Sequence, residues 1–207
     1  MKSFKLILLI ILIALYIPNL RSQSSLNIVD KTVNFGMRFS QLRNINAIII
    51  HSVYNASGGD IYDIDLVIKQ FSHYHVSSHY VIGREGTIYQ LVKENNVSFH
   101  AGKSILPDGR TGLNSCSIGI ELLDSIGDSP TEKQIASLTA LVKDIKSRLP
   151  IKYVLRHSDI APGRKTDPWN MDWGDFLKRI GDKDSIFFMT IDTLPQRKFS
   201  IFPGQFH

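Results

Sequence analysis

Along this chain, continuous apolar runs of strand length alternate with stretches in which apolar residues recur every three or four positions. Ile45 and Ala47 to Ile50 form a run that stops at His51, the pattern of a strand buried on both faces. After the turn SGGD, the segment DIDLVIKQFSHYH places Ile64, Val67, Ile68 and Phe71 at helical spacing, with Asp60 or Asp63 available to cap the helix. HYVIGREGTIYQLV splits into two β-branched and aromatic runs around Gly83-Arg84-Glu85-Gly86, which predicts a hairpin with glycine at a positive-φ position. SIGIELL, Ser117 to Leu123, predicts another buried strand. SPTE, Ser129 to Glu132, has the form of a capping box with proline at the first helical position. The helix that follows carries Ile135, Leu138, Leu141, Val142, Ile145 and Leu149 on one face. KYVLRHS predicts a strand ending at His157, and MDWGDFLKRI a short closing helix. Strands alternating with helices, plus one hairpin, indicate an α/β fold: a single domain with a central mixed β-sheet flanked by helices.

The ends of the chain fall outside this pattern. Lys2 and Lys5 precede an apolar run from Leu6 to Ile17, followed by Pro18 and the polar exit Arg21-Ser22-Gln23. A charged start, about twelve apolar residues and a polar exit describe a secretory signal peptide over residues 1–22. The run is short for a membrane span, which needs roughly 20 residues, so no stable membrane anchor is expected after cleavage. The alternative is an uncleaved N-terminal anchor; in both cases the domain leaves the cytoplasm, for the periplasm or the medium. Residues 23–44 form a polar lead-in, 45–180 the main domain, and 181–207 an extension containing the β-rich SIFFMTI, for which no role is evident.

Charge changes the picture only slightly. The formal net charge of +5 includes Lys2, Lys5 and Arg21 of the leader, which holds no acids; without it 21 basic residues face 19 acidic ones, a net of +2. No run of Lys and Arg with interleaved aromatics points to nucleic acid, although a mildly cationic surface suits an anionic cell wall. The single cysteine, Cys116, excludes an internal disulfide and is expected to pack as a small hydrophobe. Oligomeric state leaves no mark in the sequence.

The chemistry gathers at strand ends. Two of the buried strands end in histidine, His51 and His157, and Glu121 sits among apolar neighbours in SIGIEL. Sites in α/β sheets collect at strand ends, and a carboxylate in such company is almost never fully buried unless paired; otherwise it faces solvent. Two histidines and one carboxylate form a common tridentate set for catalytic zinc, with the fourth position left for water. The segment HSDIAPGRKTDPW, His157 to Trp169, offers two carboxylates. Asp159 lies close enough to His157 to cap a local turn, whereas Asp167 ends a loop stiffened by Pro162 and Pro168 and can fold back. Asp167 is the preferred third ligand. His73, His75 and His79 do not form a second cluster: the first two are expected at the surface or a helix end, the third lining a strand.

Five segments in order, IIIHS, VSSHYVIGREGTIYQLV, FHAG, NSCSIGIEL and RHSDIAPGRKTDPW, together resemble the type-2 N-acetylmuramoyl-L-alanine amidases, which include phage lysozyme-like amidases and the peptidoglycan recognition proteins. Each segment alone is weak; the ordered set, from about His51 to Ile180, is specific. The resemblance implies a mixed sheet with zinc in an open groove, ligated by His51, His157 and Asp167. It implies catalytic roles for Glu121 and Lys165, and substrate contacts for His100, Asn114 and Arg164. Each of these last three also has a plain structural reading as a loop residue. Phage-type members carry a catalytic tyrosine where Ser78 stands here and lack a glutamate in the SIG strand, so the chain is similar to the branch that uses glutamate and lysine, and Ser78 has no expected catalytic role. The implied substrate is peptidoglycan or a muropeptide, cut between N-acetylmuramic acid and L-alanine. The competing reading is a peptidoglycan-binding module of the same fold without turnover.

Overall fold

A computed structural model describes residues 26–182; residues 1–25, which include the expected leader, and residues 183–207, which hold most of the C-terminal extension, lie outside the described residues. In chain order the elements are β1 (Ile28–Asp30), β2 (Met37–Arg38), β3 (Ala47–Val53), α1 (Ile64–His73), β4 (Tyr80–Ile82), β5 (Ile88–Gln90), β6 (Val97–Ser98), β7 (Ser117–Leu123), α2 (Glu132–Arg148), β8 (Tyr153–Arg156), α3 (His157–Ile160) and α4 (Trp173–Ile180). Six strands form one sheet in the order β1-β5-β4-β7-β3-β8, and β2 pairs with β6 in a small separate ribbon. The central strands β4, β7, β3 and β8 are parallel to one another, and β5 returns antiparallel to β4. The mixed sheet and the hairpin are as the alternation predicts, with Gly86 at φ +84 closing the turn.

The two faces of the sheet are covered differently, and that difference creates the site. Ile48, Ile50, Ile118, Ile120 and Leu122 point to one face, where α2 and α4 seal them under Leu138, Leu141, Val142, Ile145, Phe176 and Leu177. The opposite face carries two smaller clusters. One packs Val67 and Phe71 of α1 against Val81 and Leu123; the other packs Ile49, Ala101, Leu106, Leu113, Leu155 and Ile160. Parallel register sets His51 beside Glu121 and Ile49 beside Gly119, and paired residues of neighbouring strands share a face. His51 and Glu121 therefore project from the less covered side, between the two clusters.

Local signals account for the helix boundaries, with one shift. Asp63 caps α1 by accepting from the backbone of Asp65 and Leu66. The capping box of α2 is Thr131 with Gln134, two residues beyond the Ser129–Glu132 pair suggested by SPTE. Gln134 is fully buried and also donates to the carbonyls of Ile82 and Leu123, so a tertiary contact selects between two plausible caps.

The segment expected to be a lead-in is part of the fold. It supplies β1 to the sheet edge, β2 to the ribbon, and Arg43. The Arg43 guanidinium donates to five backbone carbonyls, those of Glu94, Asn96, Asn114, Ser115 and Ser117, and so joins the loop before β6 to the loop before β7. Burial, only partly opposed by nearby Cys116 and Glu94, pushes its pKa down to about 10, which leaves it charged at neutral pH. Replacing Arg43 with methionine keeps the stem and orphans these acceptors. The expected loss of stability is on the order of 3 kcal/mol, since each buried group left unsatisfied costs about 1–3 kcal/mol; denaturant unfolding with an unchanged m-value checks it.

Candidate metal centre

His51 lies in β3, flanked on one side by β7, which carries Glu121, and on the other by β8, whose end leads into His157. His157 begins α3 rather than ending β8. Asp159 accepts from the backbone and side chain of Arg156 and so caps the start of this short helix, the local role expected of it. Asp167 folds back as its proline-flanked loop suggests: its carbonyl accepts from the backbone N–H of Ser158 at 3.0 Å. The side chains of His51, His157 and Asp167 converge, each with one ligand atom within 4.8 Å of the others. His51 Nδ1 is 2.9 Å from His157 Nδ1, and Asp167 Oδ2 is 3.0 Å from His157 Nδ1 and 3.6 Å from His51 Nδ1. All three residues are buried.

The donor chemistry fits a cation. His157 Nε2 lies 3.4 Å from the carbonyl of Ala101, an acceptor only, so the ring's proton belongs on Nε2 and Nδ1 presents a lone pair. Two imidazole nitrogens and a carboxylate oxygen packed this closely need positive charge between them. Burial pushes the His51 pKa down to about 4, which keeps that ring neutral and able to ligate. Two histidines and a carboxylate are a ligand set for catalytic zinc with an open position.

Glu121 borders the cluster and is buried, not solvent-facing. Burial, reinforced by the Asp167 charge and opposed by Lys165, raises its pKa well above the usual carboxylate value. Lys165 is exposed on the rim. A cleft of about 370 Å³ opens over these groups, with an apolar wall of Phe71, Val76, Phe99 and Trp169. That wall was not legible in the sequence: Phe71 reads as part of a helix's apolar face, Trp169 as the end of a motif, and Val76 and Phe99 carry no signal.

His100, Asn114 and Arg164 line the same cleft, and all three also build the FHAG loop. Asn114 Oδ1 accepts from the backbone N–H of His100 and Ala101 at 3.1 and 2.8 Å. Arg164 Nη2 donates to the carbonyls of Ala101 and Lys103 at 3.1 and 2.7 Å. His100 lies over Gly119, where a Cβ would come within 2.4 Å of the ring, which is why the SIG strand has glycine at this point. His79 is buried, and its Nδ1 accepts from the Gly119 N–H; His73 and His75 are exposed and apart from the cluster. Cys116 is half-buried at the edge of an apolar cluster, as expected.

A parallel-centred mixed sheet with two histidines and a carboxylate converging beside a buried glutamate describes an α/β protein with a candidate metal centre. The sequence pattern of the N-acetylmuramoyl-L-alanine amidase family matches residues 41–170, and the chain belongs to that family. AmpD of Escherichia coli, a 1,6-anhydro-N-acetylmuramyl-L-alanine amidase, is 38% identical over 110 residues, covering 52% of this chain and 60% of AmpD. The crystal structure of a selenomethionine AmpD derivative superposes with a TM-score of 0.62 at 29% identity, covering 72% of this chain and 93% of that one. The E. coli amidase AmiD, solved with the substrate anhydro-N-acetylmuramic acid-L-Ala-D-γ-Glu-L-Lys, gives a TM-score of 0.56 at 34% identity, covering 69% of this chain and 60% of AmiD. The chain spans about half to two thirds of the length of the curated relatives it matches.

Proposed function

We propose that the protein is a zinc-dependent N-acetylmuramoyl-L-alanine amidase that hydrolyses the amide between the lactyl group of N-acetylmuramic acid and L-alanine in peptidoglycan or muropeptides. The observation that carries this reading is the convergence of His51, His157 and Asp167 beside the buried Glu121 on the floor of an open cleft. Family membership and the likeness to AmpD and AmiD support the substrate class.

In this reading His51 and His157, through Nδ1, and Asp167, through its carboxylate, hold the zinc. Bound zinc supplies Lewis acidity and a water whose pKa falls toward neutrality. Glu121 takes the proton of the attacking water on its carboxylate and returns it to the departing amine of L-alanine; its raised pKa brings it toward the operating range of a group that must both accept and donate. Lys165, on the rim, is placed to donate from Nζ to the carbonyl oxygen as negative charge develops, a contribution of about 3 kcal/mol for one well-placed donor. The apolar wall excludes water from one side of the cleft. Asn114 and Arg164 reach substrate only with hydrogen-bonding capacity left over from the FHAG loop. The leader-like pattern of residues 1–22 supports export, to the periplasm or the medium.

Digestion of defined muropeptides, followed by mass spectrometry, tests this. The expected products are the intact sugar moiety and a free peptide with N-terminal L-alanine. A zinc-loaded protein that binds the same fragments and releases no peptide would establish the non-catalytic module instead.

A further inference from the structure

From His51 Nε2, the ring nitrogen opposite the one that faces His157 and Asp167, runs a buried chain of hydrogen-bonding groups. His51 Nε2 is 3.0 Å from His100 Nδ1, His100 Nε2 is 3.1 Å from Ser117 Oγ, and Ser117 Oγ is 2.6 Å from the carbonyl oxygen of Leu113. All four residues are buried. The chain ends on a group that can only accept, and this sets its direction. Leu113 O must receive the Ser117 hydroxyl proton, so Ser117 Oγ receives the proton of His100 Nε2. A neutral His100 then offers a lone pair at Nδ1, which receives the proton of His51 Nε2. The reverse order would leave Ser117 Oγ and Leu113 O in contact at 2.6 Å with no proton between them.

We infer that His100 and Ser117 are positioning residues that lock His51 as the Nε2–H tautomer with its Nδ1 lone pair aimed at the metal. The inference rests on the reading that His51 is a ligand. His157 has the equivalent support from a single backbone carbonyl, that of Ala101; His51 reaches its terminal carbonyl only through two side chains. Partners of this kind fix ring orientation and raise ligand basicity, and their loss typically lowers metal affinity about 10–100-fold. The arrangement also gives the conformation of the FHAG loop a purpose. Asn114 pins the backbone of His100 from one side and Gly119 leaves room for its ring, so His100 belongs to the metal centre's support more than to the substrate surface.

The test uses the 207-residue chain with zinc ion as probe. Zinc affinity is measured by chelator competition, and the His51 tautomer in zinc-free protein is obtained from ring nitrogen chemical shifts. The expected result is a single Nε2–H form of His51 in wild type. Ser117→Ala and His100→Leu should weaken zinc binding about 10–100-fold and give His51 a mixed tautomer population. His100→Asn, whose Oδ1 can take the acceptor position of Nδ1, should stay within a few-fold of wild type. Wild-type affinity and an unmixed His51 tautomer in Ser117→Ala overturn the inference, and this variant decides alone should His100→Leu not fold. Equal losses in His100→Asn and His100→Leu overturn it as well, because packing rather than proton direction would then be responsible. His51→Ala separates the two levels: if it retains wild-type zinc affinity, the ligand reading itself is wrong, whereas if it loses zinc while Ser117→Ala does not, only the positioning chain falls.

Discussion

Glu121→Ala is expected to reduce amide cleavage about 10²- to 10⁴-fold, the range for loss of a general acid–base group, while zinc remains bound at full stoichiometry. The separation follows from the geometry. The three converging ligand atoms come from His51, His157 and Asp167, so removing Glu121 leaves the metal's protein ligands untouched. It also removes a buried carboxylate whose pKa is raised chiefly by burial, which means that ionised Glu121 costs the fold free energy. A group with a raised folded pKa stabilises the protein below its unfolded pKa, and that contribution is lost as pH rises through the folded value. The variant should therefore be no less stable than wild type at neutral pH, apart from the small cavity. Steady-state kinetics on a defined muropeptide, zinc analysis and thermal unfolding together check the prediction; unimpaired turnover would remove Glu121 from the mechanism.

His157→Ala should behave in the opposite way, losing the metal first and activity as a consequence. The remaining His51 and Asp167 supply two ligands, one short of the tridentate set that holds a catalytic zinc. Stability gives an independent readout. A ligand present at about 100 times its Kd adds roughly 2.7 kcal/mol to the folded state, and in a chain of this size each kcal/mol corresponds to about 2–4 °C in Tm. Wild type should gain roughly 5–10 °C on zinc addition and His157→Ala close to none. Stoichiometric zinc in the purified variant would refute the ligand assignment.

Much of the framework was present in local pattern. The continuous run around Ile48 to Ile50, the helical spacing from Ile64 to Phe71 and the hairpin at Gly83–Gly86 each report on a single element, and each is found in the structure. The two histidines and Asp167 could be picked out because the first two follow apolar runs and the third closes a proline-stiffened loop, although β3 continues past His51 to Val53 and His157 opens α3 instead of ending β8. Arg43 could not: its five acceptors are backbone carbonyls, which carry no residue type and leave no trace in a sequence. The choice of Thr131 over Ser129 as cap was likewise invisible, because it turns on the burial of Gln134 against β4 and β7. His100, Asn114 and Arg164 were legible as groove residues, yet the hydrogen bonds of Asn114 and Arg164 to the FHAG-loop backbone and of His100 to His51 depend on a loop path that no periodicity encodes.

By itself, then, the order of residues determined which segments are strands and helices, which faces are apolar, and which few side chains are candidates to hold a metal, because those properties depend on neighbours a few positions away. Only the tertiary structure decided that Glu121 stands beside His51, that the less covered face of the sheet opens over both, and that His51 leans on His100 and Ser117. Those contacts join groups far apart along the chain, and strand register and crossover, rather than local preference, set the distances between them.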